Sequence, residues 1–122
     1  MHLPSLKIAI SLTVLLACAA CSGTPERTTA GAVTDGWLGR WSGPEGTYLE
    51  ITGTPDDYRL TIANLDGPRR FVGRAQGAQI VFVRDGVVET LTATDGEATG
   101  MKWLQDKHNC LTVRSGEGYC RD

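Results

Sequence analysis

The 122 residues carry 12 basic and 14 acidic side chains scattered along the chain, a net charge of −2, which excludes a field directed at nucleic acid or another polyanion. Once an apolar leader and a polar stretch are set aside, residues 37–122 remain to fold as one domain. A chain of that size buries roughly 60–65% of its unfolded surface and commonly relies on a staple such as a disulfide.

Lys7 supplies a positive start, and Ile8 to Ala17 form an apolar run broken only by Ser11 and Thr13. A permanent bilayer span needs about 20 apolar residues, so this run reads as an export signal that is removed, with residues 1–20 as the signal peptide. It ends in Leu15-Leu16-Ala17-Cys18-Ala19-Ala20-Cys21-Ser22-Gly23, which resembles the lipobox of bacterial lipoproteins, where a small residue precedes the cysteine that is lipidated and becomes the N-terminus. Two cysteines compete for that role. Cys18 has Leu15 three residues before it and Ala17 directly before it, with bulky Leu16 between; Cys21 has small Ala19 and Ala20, with Cys18 where an aliphatic residue is expected. Cleavage before Cys21 discards Cys18 and leaves one even pair besides the lipidated thiol, whereas cleavage before Cys18 strands a free thiol in an oxidising space, so Cys21 is favoured. A plain secretory signal ending near Ala17-Cys18-Ala19 is the alternative. The resemblance implies a palmitate-bearing anchor of three acyl chains, and Ser22 after Cys21, having no Asp there, implies the periplasmic face of the outer membrane. At about 0.8 kcal/mol per buried methylene, one chain binds reversibly and two or more hold firmly.

Residues 21–36 read as a flexible tether, with Val33 the one large aliphatic residue amid Thr, Gly, Ala and charge; as a coil it spans about 20 Å. From Trp37 onward, short runs of β-branched and aromatic residues alternate with Gly, Pro and Asp, the pattern of an antiparallel meander. Tyr48 to Thr52 and Tyr58 to Asn64 flank a four-residue loop, Thr54 to Asp57, which sets Leu49 against Ile62 and Ile51 against Leu60. A turn at Gln76-Gly77 pairs Phe71 with Phe82 and Gly73 with Ile80. Asp85-Gly86 is a type I′ signal that pairs Ile80 with Leu91. The same register puts Glu89 opposite Phe82 on the core face, and a solvated or rim position, diagonal to Arg84 and able to pair with it, is expected for it.

No strand pattern continues beyond Thr94. Asp95 to Lys107 reads as a loop followed by one short helix near residues 100–107, with Met101 and Leu104 on one side, expected to plug an end of the sheet. Asn109 to Arg114 and the segment ending at Cys120 form the last hairpin. A three-residue loop of Arg114, Ser115 and Gly116 there pairs Val113 with Glu117, Leu111 with Tyr119 and Cys110 with Cys120. Two cysteines directly opposite in an exported chain form a disulfide.

Chemistry-bearing residues are few. His2 leaves with the signal, so a catalytic triad would have to use His108, and no serine sits in a nucleophile-elbow sequence. Asp106, His108, Cys110 and Cys120 could line up as metal ligands, but thiols in an oxidising space pair before they ligate. Ser115-Gly116-Glu117-Gly118 leads to no helix and carries an acidic residue, so it is a hairpin turn and not a phosphate loop. Neither a catalytic nor a cofactor site is expected.

Gly39-Arg40-Trp41 resembles the G-x-W motif that opens the barrel of lipocalins and related calycins, where the Trp closes the barrel base and an Arg from the last strand packs across it. The resemblance implies that Trp41 is the barrel-closing residue with Arg121, or else Arg114, across it; without the resemblance, Trp41 reads as a core plug and Trp37 as a half-exposed cap. Lipocalins use about twice this folded length, and small barrels fill with their own side chains.

The expected fold is all-β, a small antiparallel meander barrel of seven or eight short strands with one short helix. The expected function is a lipid-anchored, non-catalytic binding module for an envelope or periplasmic protein, with no nucleic-acid partner. The alternatives are a lipocalin-like carrier of a small apolar ligand and a structural or stress-related envelope protein. The outline is also similar to bacterial lysozyme-inhibitor lipoproteins, without their Ser-Gly-rich signature followed by Tyr. The intact mass of the mature protein should correspond to a chain starting at Cys21 with added acyl mass and no free thiol; recovery from the cytosol without palmitate label would overturn the lipoprotein reading.

Overall fold

The computed structural model describes residues 33–122; the leader, both candidate lipidation cysteines and most of the tether lie outside them. Eight strands follow in chain order: β1 Gly39–Ser42, β2 Tyr48–Thr54, β3 Asp57–Asn64, β4 Gly67–Gln76, β5 Gln79–Arg84, β6 Val87–Thr94, β7 Cys110–Arg114 and β8 Glu117–Cys120. Each pairs antiparallel with the next, and β8 pairs with β1, so the meander closes as a barrel and the sheet has no free edge strand.

Alternation decides what lies inside. Trp41, Leu49, Ile51, Tyr58, Leu60, Ile62, Ile80, Phe82, Leu91, Leu111 and Tyr119 occupy every second position of their strands and form one buried cluster with Trp37. The registers Leu49 with Ile62, Ile51 with Leu60 and Ile80 with Leu91 are those the sequence predicts. The turn between β2 and β3 is shorter than expected, because Thr54 and Asp57 still pair across it. Asp85 (φ 53) and Gly86 (φ 79) both adopt the positive φ of a type I′ turn.

Two registers differ from expectation. Gly73 faces Phe82 and Ala75 faces Ile80, because the β4–β5 turn centres on Gly77-Ala78 and puts Gly77 (φ +61) where a type II′ turn places its glycine. The slide is by two residues, so the same side chains still point inward. In the last hairpin Cys110 faces Cys120 and Leu111 faces Tyr119 as expected, but Arg114, not Val113, faces Glu117, through a bulge between Thr112 and Arg114.

The segment after β6 makes two 3₁₀ turns, Glu97–Thr99 and Lys102–Leu104, split by Gly100 in the left-handed conformation. It plugs no barrel end. Cys110 and Cys120 face outward and are bonded to each other, and Leu104 and Met101 pack over them. Thr99 is fully buried against β8: a Cβ on Gly118 would come 2.6 Å from its Cγ2. The sequence separation of 10 between the cysteines makes the bond worth about 3 kcal/mol on the chain-entropy estimate.

The folded unit begins before the expected boundary at Trp37. Residues 33–35 are helical, Thr34 is fully buried, and its Oγ1 lies 2.8 Å from Tyr58 Oη, which donates to Asp35 Oδ1 at 2.8 Å. Burial and the Asp35 carboxylate push the Tyr58 hydroxyl up to about 12, against a smaller opposing effect of Thr34. Trp37 is buried rather than half-exposed, because its carbonyl accepts from Trp41 Nε1 at 2.8 Å and its ring joins the core.

β1 meets β8 at one residue pair, Ser42 with Cys120. Arg121 spans the remaining seam. Its guanidinium lies 4.0 Å from the Trp41 ring centroid and donates to the carbonyls of Gly36 (3.0 Å), Trp37 (3.2 Å) and Leu38. Gly39 takes φ +107, a conformation that L side chains rarely adopt, and a Cβ there would also sit 3.1 Å from Arg121 Nη2, which is why the residue two before Trp41 is a glycine. Arg114, the other candidate for this place, lies elsewhere and pairs with Glu89. Arg121→Lys keeps the charge but cannot fork across the carbonyls, and should lower stability by about 2 kcal/mol in urea unfolding followed by tryptophan fluorescence, whereas exposed Arg74→Lys should change it by less than about 0.5 kcal/mol.

Candidate functional site

The barrel has two mouths, an interior and an outer wall. Trp37, Trp41 and the helical turn at 33–35 close the mouth where β1 begins. Within the interior, packing is tight enough that a Cβ on Gly73 would come 2.9 Å from Ile80 Cγ2 and 3.2 Å from Leu60 Cδ1.

The opposite mouth is closed by charge. Arg84, Glu89 and Glu117 occupy inward positions at the ends of β5, β6 and β8, with Arg84 following Phe82 and Glu117 preceding Tyr119 in the alternation. Arg84 donates to Glu89 Oε2 from Nε (2.9 Å) and Nη2 (2.6 Å), and to Glu117 from Nη1 and Nη2, both at 2.7 Å. Arg114, half-exposed, completes the group through a hydrogen bond to Glu89, and Tyr119 Oη lies 3.4 Å from Glu117. The expected pairing of Glu89 with Arg84 at an end of the barrel is present, but the expected solvation is not. Glu89 is 7% exposed, and its burial is tolerated because two guanidiniums satisfy it. Burial pushes the Glu89 carboxyl up, but the hydrogen bonds from Arg84 and Arg114 outweigh it and hold the group below the usual carboxylate range. Arg84 is raised by its bonds to Glu117 and Glu89 against the cost of burial, and burial beside Glu117 raises Tyr119. The group as a whole is neutral, two cations against two anions, and it forms a lid of internal partners.

The outer wall carries what the interior does not. Val72 of β4, Val83 of β5 and Val88 of β6 are 57%, 57% and 65% exposed. Val83 and Val88 are direct partners, and Val72 lies one step beyond the Gly73–Phe82 pair, next to Val83. With Val81 they form a contiguous apolar stripe across three strands. On one side of Val72 lies a recess of about 500 Å³ bounded by Glu50, Thr52, Arg59, Thr61 and Arg70; on the other lies one of about 370 Å³ bounded by Asp56, Arg74, Val81 and Val83. The stripe escapes a reading that looks for the core, yet its signal is in the sequence: Val72, Val81, Val83 and Val88 are apolar residues at the positions that alternate with the inward ones.

Of the residues singled out from sequence, the structure brings Trp41 and Arg121 together, and Cys110 and Cys120. His108 is 87% exposed at its side chain, with Nδ1 3.3 Å from Asp122. The Asp122 carboxylate is occupied by the backbone N–H of His108 (2.6 Å) and Asn109 (3.1 Å), which hold it below its ordinary value. Cys110, Cys120 and Asp122 cluster closely enough for a metal, but both sulfurs are spent on the disulfide. Among the described residues no helix is long and apolar enough to cross a membrane.

Compared with known protein families, curated proteins and solved structures, the chain matches none.

Glu89→Gln should cost about 2 kcal/mol, less than the loss of an isolated buried pair because Glu117 still faces Arg84. Since the native Glu89 carboxyl titrates below its unfolded value, its contribution is full above the unfolded value of about 4.3 and is lost as pH falls through the lower native one. The urea midpoint of the wild type should therefore drop below about pH 4.5, and Glu89→Gln should flatten part of that drop.

Proposed function

We propose that the chain is a lipid-anchored, non-catalytic binding module that engages a protein of the cell envelope through the outer wall of its barrel. The observation that carries this reading is the placement of apolar surface: the interior is packed with the chain's own side chains, while three valines on neighbouring strands face solvent. The lipobox-like segment before Ser22 supports an anchor at the periplasmic face of the outer membrane, with the tether holding the barrel near that surface.

A carrier of the lipocalin kind needs an internal void of at least about 300 Å³. Side chains fill the space around Gly73, and the open-mouth position is occupied by the Arg84–Glu89–Glu117 group, so the wall is favoured over the lumen.

The full chain, released from the envelope in mild detergent, should sediment as a complex larger than itself. Val83→Asp should release it as a monomer with its urea midpoint within about 0.5 kcal/mol of wild type, as for a surface change. A wild-type monomer would overturn the proposal in favour of a passive structural role, and an equimolar apolar molecule in its solvent extract, beyond its own acyl chains, would overturn it in favour of the carrier.

A further inference from the structure

We infer that the occupant of the valine stripe is an acidic protein segment that lays an apolar side chain beside Val72 and carboxylates on Arg70 and Arg74, an assignment that rests on the binding-module reading above. Arg70, Val72 and Arg74 are alternate residues of β4 and so share the outer face. The two arginines stand about 13 Å apart along the strand, one on each side of Val72 and each lining one of the two recesses.

Their neighbours show why they are available. Arg59, directly opposite Val72, is paired with Asp57 at 3.0 Å, and Glu50 is paired with Arg40 at 3.6 Å. Asp56 lines the smaller recess. Arg70 and Arg74 are exposed and meet no carboxylate among the described residues. Four arginines against Glu50, Asp56 and Asp57 leave the face positive although the chain as a whole is negative. A bidentate fork on each side of an apolar ridge suits carboxylates flanking an apolar residue, and fixes the register of whatever lies there.

The same features disfavour other occupants. In a two-fold pairing of this face with itself, the unpaired arginines of one copy meet those of the other, and like charges across an interface oppose association. A bilayer is gripped by protruding Trp, Phe or Leu, whereas the apolar side chains here are short valines lying along a wall between two recesses.

The test replaces Val83 with the photo-crosslinker p-benzoylphenylalanine in the full, anchored chain in living cells. Illumination should yield an adduct to one protein, with the crosslinked segment net negative. The pair Arg70→Glu and Arg74→Glu should cut the yield at least tenfold, and Arg70→Lys with Arg74→Lys should retain more than the reversed pair. An adduct to phospholipid, to a second copy, to a segment without net negative charge, or one unmoved by charge reversal would overturn the inference. If position 83 gives no adduct while the same probe at Trp103, which is 75% exposed in the turn Lys102–Leu104, captures a protein, this face is wrong and the module survives; if neither captures a protein, both fall.

Discussion

One guanidinium joins the beginning of the fold to its end. β1 and β8 share a single residue pair, and a sheet closed so narrowly would leave the carbonyls before β1 without partners at the seam. Arg121 supplies donors to three of them while its plane covers Trp41, so the seam is closed by a side chain in place of a ladder. The rest follows from that closure. Trp41 can turn its indole N–H toward Trp37 because Arg121 holds Trp37's carbonyl in place, and the helical turn at 33–35 can then lay Thr34 and Asp35 against Tyr58.

The two mouths solve the same problem with different physics. At one, aromatic rings and backbone carbonyls close the barrel; at the other, ionised groups do so, a choice that seldom adds net stability over packed hydrocarbon but penalises any arrangement that separates the partners. Each member of the Arg84, Glu89, Glu117 and Arg114 group comes from a different strand: β5, β6, β8 and β7. A slip of one residue in any of these strands would bury a charge without its partner, so the group fixes strand register as well as closing the mouth.

Much of the architecture was legible because alternation and turn chemistry are local. Asp85-Gly86 determined one hairpin, the spacing of Cys110 and Cys120 around Ser115-Gly116 another, and Leu49, Ile51, Leu60 and Ile62 a third. The errors fell where local signals were ambiguous. Gln76-Gly77 and Gly77-Ala78 both offer a two-residue turn, and the second is formed, with Gly77 in the glycine place of a type II′ turn. Local register shows the pairing of Glu89 with Arg84 but not its burial, because Arg114 and Glu117 arrive from a hairpin more than twenty residues away, through a bulge that periodicity does not show. The outward valines were visible in sequence but had no meaning until closure had fixed which face was outside.

The excursion between β6 and β7 has a consequence for the cross-link beneath it. Cys110 is fully buried and Cys120 is 4% exposed, under Leu104 and Met101 on the outer wall. A reducing thiol must approach a sulfur directly, so it cannot attack while that flap is down. Loss of the bond is then governed by how often residues 95–109 lift away, a local breathing motion, and less by the reductant's own strength.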